Sequence, residues 1–332
     1  MSRGRSLALS LALTALAAAG IPAASAGAAT NPWLEKQPLN IAHQGGEDEF
    51  PSNTMYAFKS ALKAGADMLE LDVGVTKDDQ VVVMHDTTVD RTTNGTGTIE
   101  SHTLKQVEKL DGAYWFHASD ANAYRHDRSG KAYAFRGVAT GKKQAPKGFK
   151  ASDFRVTTLK AVLKAFPKVP INIEIKGRTK AEAPAEYLQN ADVLAKLLKN
   201  NPRRDLIVVS FQQPAVDRFH QLAPAIPVAP GIAGTADWLL GGKSPGEGVV
   251  AFQLPITYEL NGQTLDITNA ANVAKAHQDG YAWHTWLSDD GESPATWTKL
   301  IDWCVDGVMT ARPAEFEKLL KTHQRPASCA TP

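Results

Sequence analysis

The sequence predicts an α/β protein, a (β/α)8 TIM barrel with a segment inserted after the second strand. Three observations carry that reading. Short apolar runs recur along the 332 residues, about eight of them, with helical stretches between most. Carboxylate and imidazole side chains gather at the C-terminal ends of several of these runs, the end at which a barrel builds its site. One region, about residues 92–153, breaks the rhythm and reads as an excursion. Alternating strands and helices favour a parallel sheet over an antiparallel sandwich. A doubly wound open sheet is the structural alternative.

Taken in order, the first residues stand outside that pattern. Arg3 and Arg5 precede an uncharged, Leu/Ala-rich run from Leu7 to about Ile21, followed by Ala24-Ser25-Ala26. A short basic start, an apolar stretch and an Ala-x-Ala ending make residues 1–26 a secretory signal peptide, with export as the expectation. The run is shorter than the roughly 20 residues of a spanning helix, and no later segment is more apolar, so no transmembrane segment is expected. Residues 27–332 then form one domain. Its first strand is read at 39–42, a helix at 54–64 and the second strand at 68–73. Further strands follow at 171–175, 206–211, 226–229, 249–252, 281–286 and 307–310, each with a helix after it. Within the excursion, Tyr114, Trp115, Phe116, Tyr124 and Phe135 are too many aromatics for a free linker and are expected to fold back over the mouth.

Composition limits partners rather than naming them. The formal net charge is +1. Removing Arg3 and Arg5 from the 36 basic residues leaves 34 against 35 acidic ones, about −1 for the mature chain. Neither a nucleic-acid partner nor a basic membrane anchor is suggested, and no protein partner is indicated. Cys304 and Cys329 either pair in an oxidising compartment or remain a buried and a frayed thiol; spacing does not decide between these.

The chemistry sits at the strand ends. His43 follows the first strand, Glu70 and Asp72 lie on the second, His85 follows Val81-Val82-Val83, and Glu174 and Lys176 lie on the third. Residues two apart on a strand point the same way, so each of these pairs shares one face. Three carboxylates converging from two strands suit one hard divalent cation, Mg²⁺ or Ca²⁺. The bland reading is a solvated strand face. Against it, Ile171, Ile173 and Ile175 interleave with Asn172, Glu174 and Lys176, and charges projecting inside a barrel require partners or a metal.

The ordered blocks His43-Gln44-Gly45-Gly46, Pro51-Ser52-Asn53-Thr54, Glu70-Leu71-Asp72-Val73, His85-Asp86, Arg91-Thr92-Thr93 and Asn172-Ile173-Glu174-Ile175-Lys176 resemble those of the glycerophosphodiester phosphodiesterase family. That resemblance implies a metal on Glu70, Asp72 and Glu174, acid/base work by His43 and His85, and phosphate neutralisation by Lys176. It also implies attack by the hydroxyl beside the phosphoester to give a cyclic phosphate. The chain departs from the family at Gln44, where an arginine is usual, and at Ser52, where a glutamate is usual. One expectation is that these two absent charges are partners, so that Gln44→Arg with Ser52→Glu is tolerated better than either change alone.

Gln44 supplies no cation to a phosphate, whereas Phe211, Trp283 and Trp286 stand at late strand ends as candidates for an apolar substrate slot beside it. The main expectation is therefore a secreted, metal-dependent phosphodiesterase of lysophospholipase D type, releasing choline or ethanolamine from lysophospholipids. The alternative within the class is a glycerophosphodiesterase yielding glycerol 3-phosphate and an alcohol. Outside it stands a non-catalytic protein that captures phosphodiesters or lipid head groups. A sugar-phosphate isomerase or aldolase on the same barrel rests on fold analogy alone.

Overall fold

The computed structural model describes residues 31–34, 38–118, 124–260, 262–287 and 291–329. The expected signal peptide lies outside them. No helix among the described residues is long and apolar enough to cross a membrane.

Strand β1 (Leu39–Ala42) pairs in parallel with β2 (Met68–Val75), and β2 pairs with β4 (Ile171–Ile175), which pairs with β5 (Leu206–Val209). On the other side β1 pairs with β10 (Gly307–Thr310), then β9 (Ala282–Trp286), then β6 (Ala251–Leu254). The gap between β5 and β6 is bridged by Val228, which pairs in parallel with Val208 and with Val249. Segment 226–229 is thus the fifth staff, and the parallel ring closes with all eight strands expected from the sequence. Two further strand pairings lie outside that ring. A short β3 (Val81–Val83) runs antiparallel to β2, and a hairpin of β7 (Thr257–Leu260) and β8 (Gln263–Asp266) follows β6.

Parity along the strands sorts side chains into two cores. Leu39, Ile41, Met68, Ile207, Val209, Ala229, Ala251, Ala282 and Met309 fill the barrel interior. Leu69, Leu71, Val73, Ile171, Ile173 and Ile175 face outward and pack beneath the helix ring. Burial on both faces is why the strands read as nearly continuous apolar runs. The helices carry local start signals. Thr54 Oγ1 accepts from Ala57 N to cap α1 (Met55–Ala64), and proline opens the helices Pro184–Leu198, Pro294–Asp302 and Pro313–Leu320.

The excursion lies between β3 and the helix Leu159–Ala165 and packs back on the barrel through aromatic contacts. Tyr56 of α1 stacks on Phe154 and meets Phe135 and Phe149, and Arg136 sits over Tyr114, Trp115 and Tyr133. Lys59 of α1 bonds Asp153 at 2.8 Å. At the other end of the chain, Cys304 and Cys329 form a disulfide that closes a 25-residue separation. A loop of that length implies about 3 kcal/mol of stabilisation through the unfolded chain. Cys304→Ser with Cys329→Ser is expected to lower unfolding free energy by about that much in urea and to leave turnover intact, since neither residue lines the site.

His284 is fully buried in the barrel wall, edge-on to Trp33, and neither ring nitrogen has a hydrogen-bond partner among the described residues. Burial pushes its pKa down to about 4, against a smaller opposing pull from Asp306. The unfolded chain therefore takes a proton near pH 6.5 that the folded chain refuses until about pH 4. Stability is lost as pH falls through that window, by roughly 2 kcal/mol between pH 7.5 and 5 for this group alone. Denaturation curves at the two pH values are expected to show that difference shrinking in His284→Asn.

Candidate active site

The first site residue is set by a backbone turn. After β1 the chain makes a 3-10 turn at His43–Gly45, with Gln44, Gly45 and Gly46 all at positive φ (49°, 82° and 89°). Glycine is required twice here. A Cβ on Gly45 would meet Ala57 Cβ at 2.9 Å, and one on Gly46 would meet Pro313 at 2.7 Å. This tight turn brings the amide of Gln44 to 2.7 Å from Glu70 Oε2 and places His43 Nε2 3.9 Å from the same oxygen.

Glu70 and Asp72 point inward from β2, and Glu174 points inward from β4. One carboxylate oxygen from each lies within 4.8 Å of the others. Asp72 is completely buried, and its Oδ1 has no hydrogen-bond partner. Asn53 Nδ2 donates to Asp72 Oδ2 at 3.0 Å, from a residue held at φ 56°, which asparagine tolerates well. Lys176 Nζ sits 2.8 Å from Glu174 Oε1 and 3.3 Å from Asp72 Oδ1.

Electrostatics follow from that crowding. Burial, then the adjacent Asp72, pushes Glu70 up to about 8. Burial also acts to raise Asp72, but Lys176, His85 and His43 outweigh it and hold Asp72 below the usual carboxylate range. For Lys176, burial works against the charged form, and Glu174 and Asp72 more than reverse it. The site thus gathers three oxygen ligands, one of them a fully buried carboxylate whose Oδ1 has only the Lys176 ammonium facing it, and another whose charged form is disfavoured by burial and a neighbouring carboxylate. That donor set fits a hard divalent ion.

His85 follows β3. Its Nδ1 lies 2.8 Å from Asp86 Oδ1, and Arg91 grips Asp86 through Nε and Nη2 at 2.6 and 2.9 Å. Burial acts to raise Asp86, but the hydrogen bonds from His85 and the bidentate Arg91 outweigh it, hold the carboxyl well below the usual carboxylate range and fix its side chain. Around these groups is a cavity of about 430 Å³ that brings together His43, Gln44, Glu70, His85, Glu174, Lys176, Phe211 and Trp286. Phe211 stacks on Trp286 with ring centroids 5.9 Å apart, and Lys176 Nζ lies 5.6 Å from the centre of the Phe211 ring. Val209, Leu287 and Met309 extend this apolar wall, while Glu47, Asp48 and Asp86 line other parts of the cavity.

One expected substrate contact is corrected. Trp283 is fully buried among Trp238, Phe252 and Trp297 under the helix ring, with Nε1 donating to Thr268 Oγ1. It lies three positions before Trp286 on one strand, and an odd spacing sends the two rings to opposite faces. The two positions where the family's charges are absent have other partners here. Gln44 Oε1 faces Asn53 Nδ2 at 3.5 Å, and the buried Ser52 donates its amide to the Tyr124 hydroxyl at 2.5 Å. A glutamate at 52 has to share that space with Tyr124, a cavity-lining residue delivered by the excursion.

No role was legible for Glu47, Asn53, Asp86, Arg91 or Gln253, and Tyr124 was expected only as one of the excursion aromatics folding back over the mouth. Asn53, Asp86 and Arg91 stood inside the resembling blocks. Gln253 donates to Asn172 at 2.8 Å across the barrel, and its inward parity was readable from β6. Tyr124 carried no signal of its register.

The sequence model of the Glycerophosphoryl diester phosphodiesterase family matches residues 43–315. A glycerophosphodiester phosphodiesterase of Bacillus subtilis (strain 168) is 30% identical over 327 residues, 97% of this chain and 99% of that protein. The B. subtilis protein YhdW is 37% identical over 190 residues, 57% of this chain, and the match spans 63% of YhdW's own length. Among solved structures, the Oleispira antarctica phosphodiesterase OLEI02445, in complex with the product sn-glycerol-3-phosphate, superposes with a TM-score of 0.61 at 18% identity, over 86% of this chain and 97% of that one. The glycerophosphoryl diester phosphodiesterase domain of Rv2277c from Mycobacterium tuberculosis gives 0.60 at 16% identity, over 86% and 100%. At these identities the superpositions speak to the fold alone.

Proposed function

The chain belongs to the glycerophosphoryl diester phosphodiesterase family, a family of phosphoric diester hydrolases, and we propose that it cleaves a glycerol-linked phosphodiester with the help of one divalent cation, Mg²⁺ or Ca²⁺. The observation that carries this reading is the convergence of Glu70, Asp72 and Glu174 within 4.8 Å beside Lys176 and two imidazoles. When bound by the three carboxylates, the cation supplies charge stabilisation to the phosphoryl oxygens.

The remaining work falls to the chain's own groups. Lys176, anchored by Glu174 and Asp72, presents a permanent positive charge to the phosphate. His43 and His85 each have Nδ1 against a carboxylate, which leaves Nε2 for proton transfer. One imidazole takes the proton of the hydroxyl beside the phosphoester as that oxygen bonds to phosphorus. The other gives a proton to the departing alcohol oxygen as its bond to phosphorus breaks, and the product is a cyclic phosphate. Water opens the ring with the two proton roles exchanged.

Substrate preference divides into two readings. The family match and the nearly full-length relative favour an ordinary glycerophosphodiester as substrate, ahead of the lysophospholipid that the sequence put first. What supports the lysophospholipid is the apolar wall of Val209, Phe211, Trp286, Leu287 and Met309, which is suited to a chain of methylenes. Rates on glycerophosphocholine and lysophosphatidylcholine separate the two. If the wall holds a chain, Phe211→Ala and Trp286→Ala raise KM for the lysolipid by about tenfold, the equivalent of 1–2 kcal/mol of lost apolar contact, and spare the deacylated substrate. Equal effects on both substrates, or no turnover of the lysolipid, leave the glycerophosphodiesterase reading. Export is part of the proposal; the N-terminal sequence and the disulfide support it.

A further inference from the structure

Glu47 is a carboxylate at the mouth to which no motif gives a task. Its Oε1 lies 2.5 Å from His43 Nδ1, and its side chain lines the same cavity as Glu70, Glu174 and Lys176. The other oxygen, Oε2, is buried without a hydrogen-bond partner among the described residues. Backbone geometry makes the contact. Three successive residues at positive φ reverse the chain after His43, and the amides of Glu49 and Phe50 both return to Gly46 O, which places residue 47 back over the imidazole.

His85 offers a comparison within the same site. Its Nδ1 also meets a carboxylate, Asp86, but Asp86 is clamped by Arg91 through two hydrogen bonds. Glu47 makes no ion pair with Lys or Arg among the described residues; its carboxylate meets His43. A solvated loop residue has no need to point its oxygen at one ring nitrogen, and a loop-stabilising one would bond the backbone, as Glu49 does with Ala314 N at 2.9 Å.

We infer that Glu47 is a positioning residue for the hydrolysis proposed above: it accepts the Nδ1 proton of His43 and so fixes the tautomer and rotation that present Nε2 to the phosphoester. The inference rests on that reading of the site. An imidazole with its Nδ1–H held by a carboxylate keeps Nε2 as the working nitrogen. Without Glu47 the ring is free to turn and to exchange tautomers, while the carboxylate triad and Lys176 still bind the phosphate. The loss therefore falls on kcat and not on KM.

The test uses the mature protein with Mg²⁺ or Ca²⁺ and two substrates, glycerophosphocholine and lysophosphatidylcholine. In Glu47→Ala, kcat is expected to fall about 10- to 100-fold, the range associated with losing a carboxylate that orients an imidazole, with KM within about twofold. Glu47→Gln keeps size and an acceptor and is expected to fall between that variant and wild type, with an unchanged melting temperature. Histidine-selective ¹⁵N NMR adds a readout that a structural role does not move. The Nδ1-bound proton signal that disappears in His43→Ala is expected to be lost in Glu47→Ala as well. An unchanged kcat, a KM rise that accounts for the whole loss, or persistence of that signal in Glu47→Ala overturns the assignment. If wild type turns over neither substrate, the reading of the site fails, and the NMR arm alone decides whether Glu47 fixes the ring.

Discussion

Glu174→Gln is expected to lower turnover about a thousandfold and to abolish the response to added Mg²⁺ or Ca²⁺, because removing some 4 kcal/mol of charge stabilisation at the phosphoryl group is worth three decades in rate. Glu174 is the least buried of the three carboxylates, so its loss is the one least confounded by misfolding. Chelation of the wild type should match it. Cation uptake is also expected to depend on pH with a definite sign. Glu70, raised to about 8 by burial and Asp72, holds a proton at neutral pH that a cation must displace. Apparent affinity therefore falls about tenfold per unit as pH drops below about 8 and levels off above it. Calorimetry in buffers of different ionisation enthalpy should register close to one proton released per cation at pH 7. Absence of proton release would mean that Glu70 is already ionised when the cation binds.

The second large effect is expected from the imidazoles. His43→Ala and His85→Ala should each cost about 10²- to 10⁴-fold in kcat, the usual range for a general acid or base, and leave cation affinity nearly intact. The double variant should lose less than the product of the single losses, since once one proton transfer is disabled the other group has little left to assist. Cation affinity measured beside kcat separates this from a collapse of the triad. A parallel loss of both quantities in His43→Ala would mean that the ring, 3.9 Å from Glu70, acts mainly by holding that ligand in place.

Much of this was legible in the sequence because a parallel barrel imposes simple rules. Its strands are buried on both faces and read as apolar runs, and two-residue parity alone puts Glu70 with Asp72 and Glu174 with Lys176. The same rule, applied to residues 283 and 286, would have sent Trp283 into the core and kept Trp286 at the mouth. Less visible was whatever depends on loop geometry. The hairpin of β7 and β8 is largely exposed and polar, so it carries no burial pattern to read. Glu47 reaches His43 only because three residues in a row adopt positive φ. Tyr124 meets Ser52 across 72 positions of chain, a register that no local periodicity encodes. Departure from the family at Ser52 was visible as a missing charge, but not that an aromatic residue from the excursion stands beside it.

The most direct test of the central claim is product analysis by mass spectrometry, with the mature protein incubated on glycerophosphocholine and on choline lysolipid with Mg²⁺, with Ca²⁺ and with chelator, alongside Glu174→Gln. The account predicts choline or glycerol 3-phosphate released from at least one substrate with the cation, a cyclic phosphate detectable before or beside the open product, and neither product with chelator or in the variant. Cleavage that persists at full rate in chelator and in Glu174→Gln would contradict it.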